Sequence, residues 1–381
     1  MVFFFQLLSK RLQQQQRKRG GPSGAGGRRR RRRRGTRSSR SAGRSRKFVK
    51  KVFTCFPTMS AWLLSSNQAQ RDGGREWGSH CVCVCVCVCV CVCVCVGLPV
   101  FRGYVAARRG ERDEMQDAHV LLPDLSVTSL PPHVSRVSYF AVFDGHGGSR
   151  ASRFAAEHLH HVLAKKFPNG DPENMEKLIR KCLVDTFRQT DEDFLRKASS
   201  QKPAWKDGST ATCVLLVDDV AYVANLGDSR AVLCRMEQCD GQRKCVTLSL
   251  SKEHNPTIYE ERMRIQRAGG TVRDGRVLGV LEVSRSIGDG QYKRCGVIAT
   301  PDLRRCQLSA NDRFILLACD GLFKVFSADE AVRFVLDILQ EEQTQDEEEQ
   351  RFDSACQQLA GEAVRRGCAD NVTVILLSIG Y

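Results

Sequence analysis

Acidic residues are almost absent from the first hundred positions of this 381-residue chain. Residues 1–100 hold 21 lysines and arginines but only two acids, Asp72 and Glu76, which gives a net charge of +19. Residues 101–381 carry 38 basic and 41 acidic residues, a net charge of −3. The total of +16, which alone would indicate a nucleic-acid or membrane partner, therefore belongs to the first hundred residues. The remainder can bury one large hydrophobic core or two smaller ones.

The sequence also lacks several periodic signals. It has no G-X-Y period and no sustained heptad, which excludes collagen-like and coiled-coil proteins. Eight of the 19 cysteines alternate with valine over residues 81–96, and the others are scattered without a CxxC pair. This distribution argues against a disulfide-rich secreted scaffold and predicts reduced, intracellular cysteines. No basic residue precedes the apolar run at residues 1–8 and no clear cleavage site follows it, so we predict no secretory signal.

Residues 1–100 begin with a basic low-complexity segment. Seven consecutive arginines occupy residues 28–34, and an Arg/Ser/Lys-rich stretch continues to residue 51. Such a segment cannot bury apolar surface, so we predict a disordered tail. It is either a nuclear-localisation or RNA-binding arm or an unstructured tail that binds other molecules non-specifically. The second interpretation is favoured because no aromatic residues are interleaved with the arginines.

A second low-complexity segment is the uncharged run at residues 81–101, which is long enough to span a bilayer. Its perfect two-residue period, its valine content and Pro99 argue against a transmembrane helix, so no membrane span is expected. The codons TGT and GTG encode Cys and Val, and a translated TG repeat would give this string. We hypothesise that part of residues 1–100 is a mispredicted exon rather than expressed protein.

From about residue 101 the pattern alternates apolar strands with amphipathic helices. Strands are predicted at residues 138–143, 210–217, 221–225, 231–234, 314–319 and 372–379. Helices are predicted at residues 150–166, 175–187, 260–268, 327–339 and 352–366. The strands between residues 210 and 234 are expected to form an antiparallel meander, and the acidic residues 341–350 a loop. Because strand groups and helix groups are segregated, we predict a single α+β domain over residues 101–381.

Five aspartates lie beside the ends of apolar segments: Asp117, Asp144, Asp228, Asp320 and Asp370. Each one alone is more typical of a turn, because Asp-Gly and Asp-Asn are common turn pairs. Five carboxylates in one place would repel strongly unless divalent cations neutralised them. Carboxylate oxygens with a backbone carbonyl suit Mg²⁺ and Mn²⁺ better than Zn²⁺. Spacing alone does not establish that the five converge.

Six motifs in a fixed order carry a family resemblance. They are RDEMQDAH (residues 112–119), FDGHGG (143–148), GDSR (227–230), LEVSRSIGD (281–289), ACDG (318–321) and ADNV (369–372). Together they resemble the type 2C, metal-dependent protein serine/threonine phosphatases over residues 103–381, and six motifs in register are very specific. The resemblance implies a four-layer α-β-β-α sandwich of two antiparallel sheets flanked by helix pairs. It also implies hydrolysis of phosphoserine and phosphothreonine in proteins.

The same resemblance implies a site for two Mg²⁺ or Mn²⁺ ions. Asp144 is expected to bridge both ions, and the Gly145 carbonyl to bind one of them. Asp320 and Asp370 are expected to hold the other ion, which Asp117 supports directly or through water. In such a site a water shared by the two ions attacks the phosphorus, so that no phospho-enzyme forms.

Two further residues match the family's phosphate-handling positions. Arg112 is expected to bind the phosphate, because its planar guanidinium suits two phosphate oxygens. His146 is expected to protonate the departing serine or threonine oxygen. The alternative for His146 is a histidine that only hydrogen-bonds to Asp144 or to a metal-bound water.

This sequence departs from the family pattern at two positions. Gln116 stands where the family often has a glutamate, so it brings no negative charge toward the metals. Lys324 stands four residues after Asp320, where the family often has an acid that serves a third metal together with the equivalent of Asp228. Because a cation beside a metal site is unfavourable, Lys324 disfavours a third metal and weakens the assignment of Asp228 as a ligand.

Other function classes are less well supported. Cys182 and Arg188 have the Cys-x5-Arg spacing of cysteine phosphatases but lie inside an amphipathic helix, so Cys182 is expected in the core. A catalytically weakened binding scaffold is the main alternative, and the complete set of expected ligands favours an enzyme. An RNA-binding protein is indicated only by the arginine-rich tail. We therefore expect a monomeric cytoplasmic enzyme, with a nuclear fraction as a further option, that acts on phosphoproteins and whose domain needs no nucleic acid.

Overall fold

The computed structural model describes residues 97–239, 241–339 and 345–381. The interpretations of the arginine-rich and Cys-Val segments concern residues 1–96, outside these ranges, and they stay predictions, as does the domain boundary near residue 100. No helix within the described ranges is long and apolar enough to cross a bilayer.

Two five-stranded antiparallel sheets form the centre of the domain. The first sheet contains, in spatial order, β1 (Val100–Arg108), β15 (Val372–Gly380), β14 (Asp312–Ala318), β8 (Arg230–Cys239) and β9 (Gln242–Ser249). The second contains β13 (Asp302–Gln307), β7 (Val220–Leu226), β6 (Ala211–Val217), β3 (Val137–Phe143) and β2 (Ala118–Leu122).

Shorter strands and the helices complete the described elements. A three-stranded ribbon contains β12 (Ile287–Gly288), β5 (Gly208–Ser209) and β4 (Gly145–His146), and a hairpin contains β10 (Val272–Arg273) and β11 (Arg276–Val277). The helices are α1 (Arg150–Lys166), α2 (Pro172–Ser200), α3 (Tyr259–Arg267), α4 (Gly290–Lys293), α5 (Asp320–Phe323), α6 (Ala328–Leu339) and α7 (Gln345–Arg365).

The alternation of side chains along β3 shows how the layers are built. Phe140 and Val142 join an apolar cluster that both sheets share, including Leu317 of β14. Tyr139 and Phe143 point to the opposite face and join a second cluster formed with α1 and α2. Because both faces of β3 are buried, its sequence is apolar throughout rather than alternating with polar residues.

The outer face of the first sheet is covered in the same way. Leu316 of β14 and Leu376 of β15 pack with residues of α6 and α7 in a third cluster. Helices therefore cover the outer faces of both sheets, which gives four layers in the order α-β-β-α. The predicted α+β sandwich is confirmed.

The predicted three-strand meander is wrong in one respect. β6 pairs with β7, but β8 leaves that sheet and pairs with β14 and β9 in the other one. The turn between β7 and β8 is held by two hydrogen bonds to His254. The ring Nδ1 of His254 accepts from the Gly227 N–H (3.0 Å), and the backbone N–H of His254 donates to the Gly227 carbonyl (2.9 Å). Gly227 is thus removed from the strand ladder, and the crossover leaves Asp228 at one end of the sandwich.

The ends of two helices test the sequence-based boundaries. The predicted capping box is present, because the Ser327 N–H donates to Glu330 Oε2 (2.8 Å) and the Glu330 N–H donates to Ser327 Oγ (3.2 Å).

The loop predicted at residues 341–350 is wrong from Gln345 onward, where α7 begins. Glutamates are good helix formers, and negative charges are favourable in the first turns of a helix. The acidic composition therefore suits the start of a helix as well as a loop.

Candidate metal centre

A cleft of about 520 Å³ opens at the end of the sandwich where the predicted aspartates lie. In the first sheet, Ala318 at the end of β14 pairs with Arg230 at the start of β8 and with Val374 near the start of β15. This register brings the residues that flank these three strand ends to one place: Asp228, Asp320 and Asp370. In the second sheet, Ala118 pairs with Phe143, which places Asp117 beside Asp144.

Asp144 lies at the centre of the group. One of its carboxylate oxygens lies within 4.8 Å of carboxylate oxygens of Asp228 and Asp320, which lie equally close to each other. A second set with the same spacing joins Asp144 to Asp117 and to the Cys319 sulfur. The structure therefore brings four of the five predicted aspartates into direct proximity.

The backbone on either side of Asp144 is fixed by its neighbours. The Asp144 N–H donates to Thr210 Oγ1 (3.1 Å), and the Asp144 carbonyl accepts from the Thr210 N–H (2.9 Å). At Gly145, a Cβ would lie 2.2 Å from the Gln116 carbonyl oxygen, so only glycine allows this close approach. The Gly145 carbonyl, predicted as a ligand, is thus part of a rigid turn that lines the cleft.

Asp117 is buried beside Asp144, and only one of its two carboxylate oxygens has a hydrogen-bond partner among the described residues. Oδ2 accepts a hydrogen bond from the Thr373 hydroxyl (2.6 Å). Oδ1 is buried and has no hydrogen-bond partner within the described part of the chain. An orphaned buried carboxylate oxygen is costly, and a cation or an ordered water is the usual way to satisfy it.

The crowding of carboxylates changes their pKa values. Burial raises the pKa of Asp117 to about 6 and that of Asp228 to about 7, and the charge of Asp320 adds to both shifts. Burial, reinforced by the charges of the neighbouring aspartates, raises the pKa of Asp144 well above its usual range. Removing several like charges from water disfavours ionisation of each one, so this cluster requires positive charge to be fully ionised at neutral pH.

Asp370 lies at the rim of the group and is engaged by two cationic side chains. The Lys324 ammonium lies 2.7 Å from Asp320 Oδ2 and 2.6 Å from Asp370 Oδ2, so it bridges the two carboxylates. Arg112 donates to the same Asp370 oxygen (2.9 Å). Burial alone would raise the pKa of Asp370, but the contact with Lys324 outweighs it and lowers the pKa. Arg112 is exposed over more than half of its side chain and is accessible from the cleft.

His146 lies on the wall of the cleft and is paired with a residue to which the sequence assigned no role. Its Nε2 lies 2.7 Å from Oδ2 of Asp289, the last residue of the LEVSRSIGD motif. Burial alone would lower the pKa of His146, but the charge and hydrogen bond of Asp289 outweigh it and raise the pKa. The only signal for Asp289 in the sequence is its position at the end of a family motif.

The donor atoms present fit a hard divalent cation. The sulfur of Cys319 is a poor candidate ligand, because burial and nearby carboxylates raise the pKa of its thiol well above the usual range. The thiol also hydrogen-bonds to the Asn371 carbonyl (3.4 Å). What remains is a set of carboxylate oxygens and a backbone carbonyl, the donors preferred by Mg²⁺ and Mn²⁺.

The cysteine-phosphatase alternative finds no support in the geometry. Cys182 lies on the buried face of α2, within the cluster that packs against the second sheet. Burial raises the pKa of its thiol to about 11, which keeps it protonated and unreactive.

Comparisons with known proteins agree with this architecture. The family model described as "Protein phosphatase 2C" matches residues 102–372. The human protein named integrin-linked kinase-associated serine/threonine phosphatase 2C is 65% identical over 287 residues, covering 74% of this chain and 73% of that protein. Among solved structures, a sex-determining protein of C. elegans aligns with a TM-score of 0.60 at 27% identity, covering 73% of this chain and 64% of its own. A serine-threonine phosphatase 2C of Toxoplasma gondii has a similar fold, with a TM-score of 0.59 at 22% identity over 74% and 96% of the two chains.

These matches place the molecule among the metal-dependent protein serine/threonine phosphatases. The chain belongs to the protein phosphatase 2C family. Its reaction is the metal-dependent removal of phosphate from phosphoserine and phosphothreonine in proteins, and the acidic cluster is the part of the described structure suited to hold metal.

The raised pKa of Asp117 predicts a pH-dependent loss of stability in EDTA. A carboxyl group whose pKa is higher in the folded protein stabilises it below the unfolded pKa of about 4, and this contribution disappears as pH rises through about 6. Between pH 4.5 and 8 the wild type is therefore expected to lose roughly 5 °C in Tm relative to Asp117→Asn, measured by thermal unfolding. The exposed Asp337→Asn variant is expected to follow the wild type. A pH-independent difference between wild type and Asp117→Asn would contradict this explanation.

The ammonium of Lys324, which bridges two carboxylates, is expected to weaken metal binding in the wild type. Replacing Lys324 with Met removes this cation from contact with both carboxylates. After allowance for the partial exposure of Lys324, the free energy of metal binding is expected to become more favourable by about 1–2 kcal/mol. The Kd for Mn²⁺, measured by isothermal titration calorimetry, is expected to fall roughly tenfold. Lys206→Met is the matched control, because Lys206 lines the same cleft and is exposed. An unchanged or higher Kd in Lys324→Met alone would refute the effect.

Proposed function

We propose that this phosphatase uses two Mg²⁺ or Mn²⁺ ions held at the end of the β-sandwich. Asp144 would be shared by the two ions, and the Gly145 carbonyl would bind one of them. Asp320 and Asp370 would hold the other ion, and Asp117 would support it directly or through a water. The observation that carries the proposal is the convergence of Asp144, Asp228 and Asp320 within 4.8 Å beside the unpartnered oxygen of Asp117.

When bound, the two ions would supply Lewis acidity, which makes a water nucleophilic at neutral pH, and positive charge that stabilises the phosphoryl group. The chain supplies the remaining parts of the site. Arg112 lies at the cleft mouth beside Asp370, where its guanidinium can bind two phosphate oxygens and orient the phosphorus. With such a water as the nucleophile, no phospho-enzyme would form.

His146 is the general acid of this proposal. It lines the cleft with about a third of its side chain exposed, so it can reach a bound substrate. A proton donated from its ring to the departing serine or threonine oxygen prevents the release of an alkoxide, which is a poor leaving group. The alternative role, a hydrogen bond only to Asp144 or to a metal-bound water, is less well supported because the described hydrogen bond of its ring is to Asp289.

A third metal is not part of the proposal. Asp228 belongs to the central carboxylate group, but the ammonium of Lys324 lies against Asp320 where the family often has an acid. A positive charge at that place disfavours an additional cation. We therefore propose that Asp228 contributes negative charge to the two-metal site and does not hold a third ion.

The partner proposal comes from a relative. The human relative's name associates it with integrin-linked kinase, and 65% identity supports a role for this chain in the same pathway. Free cysteines throughout the described part of the domain support a reducing compartment, so we propose that the protein is located in the cytoplasm, with a nuclear fraction. We also propose that it is a monomer. A binding scaffold without activity is disfavoured because the expected carboxylate ligands Asp117, Asp144, Asp320 and Asp370 are all present, as is Arg112.

The direct test is phosphate release from a phosphothreonine peptide by the full chain, with Mn²⁺ and with EDTA. Activity is expected only with the metal. Asp144→Asn and Asp320→Asn remove a ligand charge and are expected to lower kcat/KM by at least about a hundredfold, because the ions then bind weakly and are misplaced.

Asp337→Asn is the matched control, since it makes the same substitution on the exposed face of α6. It is expected to keep wild-type activity. Phosphate release that persists in EDTA, or full activity in Asp320→Asn, would refute the two-metal proposal.

A further inference from the structure

The contact between His146 and Asp289 joins two residues far apart in the chain. The Asp289 side chain is 2% exposed, whereas that of His146 is 31% exposed at the cleft. Asp289 Oδ2 lies 2.7 Å from His146 Nε2 and also accepts a hydrogen bond from the Ser286 hydroxyl (2.6 Å). A buried carboxylate that serves one partly exposed ring nitrogen is an arrangement typically used to orient a histidine.

The backbone of Asp289 is in an uncommon conformation, with φ 51° and ψ 41°. A non-glycine residue in this left-handed region persists where its surroundings define its position. Here the Asp289 N–H donates to the Asp207 carbonyl (3.0 Å), and the preceding Gly288 N–H donates to Oδ1 of Asp191 (2.8 Å). Asp191 is itself paired with Lys293 (3.0 Å), so α2 holds the turn from behind.

The pair is also enclosed by backbone at Gly208. A Cβ at this position would lie 2.1 Å from Asp289 Oδ2 and 2.2 Å from His146 Nε2. Any larger residue would separate the two side chains. The register of the ribbon, in which β5 pairs with β4 on one side and with β12 on the other, thus places Gly208 directly against the contact.

We propose that Asp289 is the positioning residue of His146, an inference that rests on the proposed phosphatase mechanism. By accepting a hydrogen bond from Nε2, Asp289 fixes the ring so that Nδ1 is the nitrogen available to the substrate. No described residue provides a hydrogen-bond partner for Nδ1. During the reaction the water oxygen bonds to phosphorus and releases one of its protons to solvent, the P–O bond to the substrate breaks, and the electron pair of that bond stays on the departing oxygen. That oxygen takes the proton of His146, which solvent later replaces, and Asp289 is unchanged.

If Asp289 positions the proton donor, the effect of replacing it depends on the leaving group of the substrate. The alkoxide of serine or threonine is a strong base and needs a proton as the P–O bond breaks. Nitrophenolate is a stable anion and leaves without one. Loss of a group that acts only through proton donation is therefore expected to slow hydrolysis of a phosphothreonine peptide strongly and hydrolysis of p-nitrophenyl phosphate weakly.

The experiment compares the full wild-type chain with Asp289→Asn on both substrates in saturating Mn²⁺. For the peptide, kcat is expected to fall about a hundredfold with little change in KM, because the ring loses its orientation. For p-nitrophenyl phosphate, kcat is expected to stay within about threefold. His146→Gln is expected to give the same split, and the double variant no further loss, because the two residues act as one unit.

Ser286→Ala provides a second variant in case Asp289→Asn does not fold. It removes the hydroxyl that donates to Asp289 and keeps the carboxylate, so a smaller split of the same sign is expected. Equal losses on both substrates in Asp289→Asn, additive losses with His146→Gln, or no split in Ser286→Ala as the only folded variant would overturn the inference. A wild-type chain inactive on both substrates would overturn the proposed mechanism itself, and this inference with it.

Discussion

Mutual repulsion among carboxylates at one end of the β-sandwich is the constraint on which the site depends. Asp144, Asp228 and Asp320 approach within 4.8 Å, and Asp117 is buried beside them. In water these groups would separate, but here the strands and turns that carry them hold them together. Their raised pKa values show the electrostatic cost, because each carboxyl group retains its proton more strongly than usual. Divalent cations remove that cost, so the same crowding that destabilises the ionised cluster favours metal binding.

The rest of the fold supplies the rigidity that this arrangement needs. Three apolar clusters, one between the sheets and one under each helix pair, hold the strands whose ends carry the aspartates. Local contacts then set the individual groups: Thr210 holds the backbone of Asp144, His254 holds the turn before Asp228, and Thr373 binds one oxygen of Asp117. Two cationic side chains contact the carboxylates at the rim of the site. Lys324 joins Asp320 to Asp370, and Arg112 stands at the mouth of the cleft.

Much of this could be predicted from the sequence, for physical reasons. Central strands such as β3 and β15 are buried on both faces, so their apolar runs are unmistakable. The four long strands without a prediction, β1, β2, β9 and β13, are all at sheet edges, where partial exposure mixes polar residues into the pattern. The crossover at Gly227 was missed because it depends on His254, 27 residues further along the chain. Asp289 ends the LEVSRSIGD motif, but its contact with His146 arises only when the ribbon assembles around Gly208.

The central claim is that Asp144 is shared by two metal ions in a site built from carboxylates. Anomalous diffraction from crystals of the protein grown with Mn²⁺ tests it most directly. We predict two anomalous peaks roughly 3.5–4 Å apart, both in contact with the Asp144 carboxylate and one of them with Asp320. A single peak at Asp144, no peak at Asp144, or peaks only at another part of the domain would contradict the sharing of Asp144 by two ions.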